Sequence, residues 1–233
     1  MLKKRFALLF AGLLALECFG CALADSPAVA ADQNSAYEMQ VFTAQPDISI
    51  TYPNFTANDA LNALVKAEVQ SLVPEDPTGV TIDYDCAVTL LNHRFASMVF
   101  WGYSDVEGSV HPYDNLATLN VDLTTMQPVT LENLYNTDAD FEKLFIAKAS
   151  FPSDPVTSYS PDMFAEMLAM QVDSFTSFDP FSMPGQVLCF LKPDGLVLSM
   201  SAIHATGCDH FEAQLNYSDI QPFYLPAQNV WED

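Results

Sequence analysis

Val80-Thr-Ile-Asp-Tyr-Asp-Cys-Ala-Val-Thr-Leu90 decides the fold class. Val80, Ile82, Tyr84, Cys86, Val88 and Leu90 fall on one face of an extended chain. Thr81, Asp83, Asp85, Ala87 and Thr89 fall on the other. Successive side chains of a strand point to opposite faces, so this unbroken alternation predicts a half-buried strand. Cys86 lies on the apolar side and reads as a small buried hydrophobe. The run 95–103, Phe-Ala-Ser-Met-Val-Phe-Trp-Gly-Tyr, is apolar on both faces and predicts a central strand beyond a turn at Asn92-His93-Arg94.

Upstream, 37–43 and 48–52 read as strands. A helix follows, with Thr56 as N-cap and Asp59 completing a capping box. Its apolar residues Ala57, Ala60, Leu61, Leu64, Val65, Val69 and Leu72 recur at helical spacing, and Pro74 ends it.

Downstream, 105–115 reads as a polar loop holding Gly108, His111 and Pro112. A strand over 116–123, a short helical turn over 131–135 and an amphipathic helix over 138–149 come next. Ser160 as N-cap with Pro161 starts a further helix to about residue 172. The runs 186–191 and 196–202 flank the four-residue turn Lys192-Pro193-Asp194-Gly195, a hairpin signal. A strand over 213–217 and a short helix capped by Ser218 close the chain. The expected fold is α+β: a mixed, mainly antiparallel sheet with three or so helices packed on it.

Of 233 residues, half are hydrophobic and 16% charged, enough for a sizeable core. Residues 1–24 have the layout of a secretory signal peptide. Lys3, Lys4 and Arg5 precede an apolar stretch over 6–16, and Ala22-Leu23-Ala24 offers a cleavage site. That stretch is shorter than the ~20 apolar residues of a spanning helix. Cleavage after Ala24 is expected, giving a secreted protein with no membrane span in the mature chain. Lipidation at Cys21 is the alternative. Residues 25–37 read as a disordered tether, 38–226 as one α+β domain in two parts (38–105 and 106–226), and 227–233 as a tail.

Without Lys3, Lys4, Arg5 and Glu17, 5 cations face 29 acids, a net charge of −24. Nucleic-acid binding needs clustered Lys and Arg and is excluded. Such a surface attracts a cationic partner, though acidity also serves solubility in salty surroundings. Cys86, Cys189 and Cys208 remain in the mature part. One disulfide with one free thiol, or three thiols, both fit.

Motifs for chemistry are absent. There is no Gly-x-Ser-x-Gly, no His-Glu-x-x-His and no Gly-rich phosphate loop. His204, Cys208, Asp209 and His210 are ligating types without a ligand spacing, so no metal, cofactor or catalytic residue is expected. Trp101, Tyr103, His111 and Tyr113 are the candidate ligand contacts, because aromatic residues anchor interfaces.

Several segments resemble a known family. Asp47-Ile-Ser-Ile-Thr-Tyr-Pro-Asn-Phe followed by a helix containing Asn62 resembles the start of the extracellular domain of RsiV-type anti-sigma factors, also found ahead of the PdaC-type peptidoglycan deacetylase domain. Gly108-Ser-Val-His-Pro112 resembles its Gly-Gly-Ala-His-Pro loop, with Ser109 and Val110 departing from it. Leu119-Asn-Val-Asp-Leu-Thr-Thr, Val129-Thr-Leu-Glu-Asn-Leu-Tyr135, Asp194-Gly-Leu-Val-Leu and Asn216-Tyr-Ser-Asp-Ile220 resemble later parts. The resemblance implies a bacterial envelope domain of binding type, and in RsiV-type members a domain that binds lysozyme. This chain carries neither an anti-sigma segment nor the deacetylase metal motifs. The expected function is a secreted, non-enzymatic binding protein taking a cationic protein such as lysozyme. The alternative is a cell-wall-associated hydrolase or a glycan-binding module that holds cell-wall material.

Overall fold

Residues 37–55 form a hairpin in which β1 (Tyr37–Gln45) and β2 (Ile48–Phe55) pair antiparallel. The computed structural model describes residues 36–156, 159–175, 179–183, 185–202 and 209–225. The expected leader, nearly all of the tether, the tail, His204 and Cys208 lie outside these.

Helix α1 (Asp59–Ser71) crosses to β3 (Val80–Leu91), which lies parallel to β2. The helix begins two residues later than its sequence implies. Asn58, not Thr56, is the cap, and its side chain accepts from Leu61 N at 3.1 Å. Ala57 takes a left-handed φ of +56°, which delays entry into the helix. Asn62 fixes this corner, since its side chain accepts from Phe55 N (2.7 Å) and donates to Phe55 O (2.9 Å). Leu61, Val65 and Val69 are buried against the sheet, worth about 1.5–3 kcal/mol each.

β4 (Phe95–Val106) and β5 (Tyr113–Asp122) continue the sheet antiparallel, and a two-residue β6 (Gln127–Pro128) ends it. The order β1-β2-β3-β4-β5-β6 makes β4 central, as its apolar faces imply. The loop between β4 and β5 is shorter than expected, because pairing runs out to Ser104 opposite Tyr113. The alternation of β3 is not unbroken. A bulge between Val88 and Leu90 shifts the register, so Val88 pairs with Met98 but Leu90 pairs with Ser97. Val88 therefore joins the core under α1, and Leu90 joins a second core on the opposite face.

That second core is built by the rest of the chain. The helices α2 (Leu131–Leu134), α3 (Ala139–Lys148) and α4 (Pro161–Phe175) precede β7 (Leu188–Lys192), β8 (Gly195–Ser201) and β9 (His210–Leu215), and α5 (Tyr217–Ile220) follows. Asp138 caps α3, accepting from Asp140 N and Phe141 N, and Ser160 Oγ accepts from Met163 N at the start of α4. Asn216 rather than Ser218 stands at the N-cap of α5. Lys192 pairs with Gly195, so the β7–β8 turn holds two residues, not four. The strands form a three-stranded antiparallel sheet, order β7-β8-β9. Its Cys189, Leu191, Leu198, Phe211 and Ala213 pack against Phe141, Phe145, Phe164 and Met167 of the helices.

The other face of this small sheet lies on part of the large one. Phe190 and Val197 pack on Val99, with Ala87, Trp101 and Leu116 at the rim. The layer is also polar: Ser97, Asn120, Ser199, Glu212 and Gln214 are all buried. Leu191 N, on the free edge of β7, donates to Ser97 Oγ at 2.8 Å. Among the described residues no helix is long and apolar enough to cross a membrane.

Candidate functional site

The small sheet covers only part of the large sheet's second face, and what remains open is a graded surface of acids and rings. Register fixes its rows. Ser49, Asp83, Tyr103 and Asp114 stand side by side across four strands, and Asp85, Trp101 and Leu116 form the next row. Paired residues share a face and strands lie about 4.8 Å apart. The rings of β4 are thus flanked by the carboxylates of β3 and, at Tyr103, by Asp114 of β5. Asp83 and Asp85 are exposed, Tyr103 is 41% exposed and Trp101 is half-buried at the rim of the covered layer. On the outer strand Met39 and Val41 are exposed at 42% and 60%. No Lys or Arg occurs in any of β1 to β5.

Gly102 makes the two rows possible. Its φ of +153° and its packing exclude a side chain, since a Cβ would lie 2.0 Å from Asp83 O. The absence of that atom lets β3 close onto β4 beneath Asp83, Trp101 and Tyr103.

The four sequence candidates do not share one surface. Trp101 and Tyr103 stand two residues apart on the open face. Tyr113 pairs with Ser104, which puts it on the face that carries α1. His111 is exposed in the hairpin loop between them, where Ser109 Oγ donates to Asp105 and to His111 O.

A buried ionisable group went unforeseen. His210 and Glu212 alternate along β9 and share the face turned to the large sheet, with His210 Nδ1 2.5 Å from Glu212 Oε1. Burial of the ring works against its charge. The Glu212 carboxylate, with Asp114 and Asp209 farther off, outweighs that and raises the histidine's pKa. Ser199 Oγ donates to the same Glu212 oxygen at 3.0 Å, while Glu212 Oε2 is buried without a partner among the described residues. Ser199 thus donates to the carboxylate rather than to the imidazole, which is not the arrangement that activates a nucleophile. Among the described residues no three His, Cys, Asp or Glu side chains are grouped to hold a metal ion. Cys86 and Cys189 are free and buried, and burial pushes the Cys189 thiol up to about 12. The sequence signal for the pair is the alternation His210-Phe-Glu212, since the strand begins three residues earlier than its sequence implies, at His210.

No protein-family model matches the sequence, and no curated protein matches it significantly. Solved structures do. A DUF3298 family protein from Pseudomonas aeruginosa aligns at a TM-score of 0.52 and 13% identity, over 82% of this chain and 94% of that one. A DUF3298 family member from Bacteroides fragilis aligns at 0.42 and 12% identity, over 83% and 96%. What this chain shares with the Pseudomonas protein is its fold.

Proposed function

We propose that this chain is a secreted bacterial envelope binding protein, without catalytic activity, that takes a cationic protein such as lysozyme on the open face of its large sheet. One observation carries the reading: Tyr103 stands between the carboxylates of Asp83 and Asp114, and Trp101 beside that of Asp85, on strands that carry no Lys or Arg. Guanidinium and ammonium groups are attracted both to aromatic faces and to carboxylates, and the rings supply the contact area that anchors an interface. The net charge of the mature chain speeds the encounter with such a partner. The fold shared with a DUF3298 protein, the family of the RsiV-type extracellular domain, supports the same reading.

The test is a calorimetric titration of residues 25–233 with lysozyme at low and at physiological salt. Saturable one-to-one binding that survives the higher salt, and weakens at least tenfold in Trp101→Ala, is expected. Heat that vanishes with salt overturns the reading, because it reports only the attraction between an anion and a cation.

A further inference from the structure

β5 has a gap in its outer edge. Leu123 N, just past the strand, donates to Arg94 O at 2.7 Å, so odd-numbered residues turn their backbone groups toward β4. Even-numbered residues turn theirs outward. At one end Asp114 N donates to Asp209 Oδ2 at 2.8 Å, and at the other Val129 N donates to Asn120 O at 2.8 Å. Between these caps Leu116 and Thr118 present two N–H and two C=O groups that no described residue takes up. A strand edge in that state is a template for a further strand, and proteins capture extended segments this way.

The gap opens onto a cleft of about 370 Å³ between the two cores. Thr118 forms one side. Leu64 and Glu68 of α1, Leu131 and Glu132 of α2, and Leu188 are among the residues that line the rest. The walls are mostly apolar, with hydroxyl and amide groups from Ser71, Thr118, Asn120 and Thr130, and the only charged residues in the lining are these two glutamates. Glu132 Oε1 is held by Gly185 N at 3.0 Å. Glu68 has no cationic partner among the described residues, and burial raises its pKa. A mostly apolar slot whose charged lining residues are carboxylates matches a lysine side chain, whose methylene stem is apolar and whose head is a compact cation.

We propose that the gap and the cleft together bind an extended, lysine-bearing segment of a protein partner, which adds as a strand beside Leu116 and Thr118 and sends its lysine stem into the cleft toward Glu68 and Glu132. This rests on the reading of the chain as a binder of cationic proteins and supplies its docking mode. The added strand continues the open face beyond Asp114 and Leu116, so one partner can engage both surfaces.

The experiment follows amide exchange by NMR in residues 25–233 titrated with acetyl-Val-Thr-Lys-Thr-Val-amide, with the Glu-for-Lys peptide as control. Leu116 and Thr118 amides are expected to gain at least tenfold protection with the lysine peptide and none with the control. Glu68→Gln, which keeps the side chain's size and removes its charge, is expected to weaken the lysine peptide about tenfold. Binding without protection at Leu116 and Thr118, or equal binding of both peptides, overturns the proposal. Lysozyme in place of the peptide separates the two readings. Lysozyme that binds wild type and Glu68→Gln alike, with both amides still exchanging fast, overturns the docking mode and leaves the cationic partner standing. A lysine peptide that protects both amides while lysozyme fails to bind leaves the slot standing and removes lysozyme as partner.

Discussion

Asn120 of β5 donates from Nδ2 to the carbonyl of Cys189 at 2.9 Å, and thereby seals the free edge of β7 against the large sheet. Its Oδ1 accepts from Ser97 Oγ at 2.6 Å, and that hydroxyl accepts from Leu191 N. One amide thus orients the group that satisfies the next backbone position. Asn120→Ala leaves the Cys189 carbonyl and the Ser97 hydroxyl buried without their partner. The expected loss is about 2–6 kcal/mol, at about 1–3 for each orphaned group, read as a lower urea midpoint with an unchanged slope.

Gly102 gives a second prediction. A Cβ at this position meets the Asp83 carbonyl at 2.0 Å, which is backbone and cannot rotate aside. The φ of +153° adds strain of its own. Gly102→Ala is expected to cost more than about 2 kcal/mol and to shift the amide resonances of Asp83, Tyr84 and Tyr103. A variant with wild-type stability would refute the close approach.

The buried histidine sets a pH dependence. His210 has a pKa raised in the folded chain by Glu212 despite its burial. A raised value means that folding favours the protonated ring. The stabilisation is complete below the unfolded value of about 6.5 and is lost as the pH climbs through the folded value. As the pH rises above about 6.5 the wild type is therefore expected to lose stability, and His210→Gln to lose less. Parallel slopes for the two proteins in urea melts would contradict this.

For the open face the prediction is kinetic. Asp83→Asn with Asp85→Asn removes two exposed charges beside Tyr103 and Trp101 while keeping shape. The association rate with lysozyme is expected to fall roughly tenfold at low salt and much less at high salt. Dissociation is expected to change little, because rim charges act mainly on the encounter. Surface plasmon resonance at two ionic strengths reads both.

Much of the fold was legible because its signals are local. The alternation from Val80, the helical stripe from Leu61 to Val69 and the Ser160-Pro161 start all depend on neighbours within a few residues. What escaped depends on parity or on competition. Thr56 and Asn58 are both good caps, and only the left-handed turn at Ala57 decides between them. The bulge in β3 left no trace, because Val88 and Leu90 are both buried, one in each core. Tyr113 is an aromatic like Trp101 and Tyr103 but lies on the other face of the sheet. The register of the β4–β5 hairpin sets its face, and that register depends on a loop whose length composition does not fix.

The bulge has a thermodynamic consequence. Because β3 hands Val88 to one core and Leu90 to the other, the two cores share a strand rather than a linker. Neither can melt without breaking the ladder that the other relies on. Calorimetry should therefore find a single transition whose calorimetric and van't Hoff enthalpies agree, and the slowest-exchanging amides should lie in β3 and β4, where both halves meet.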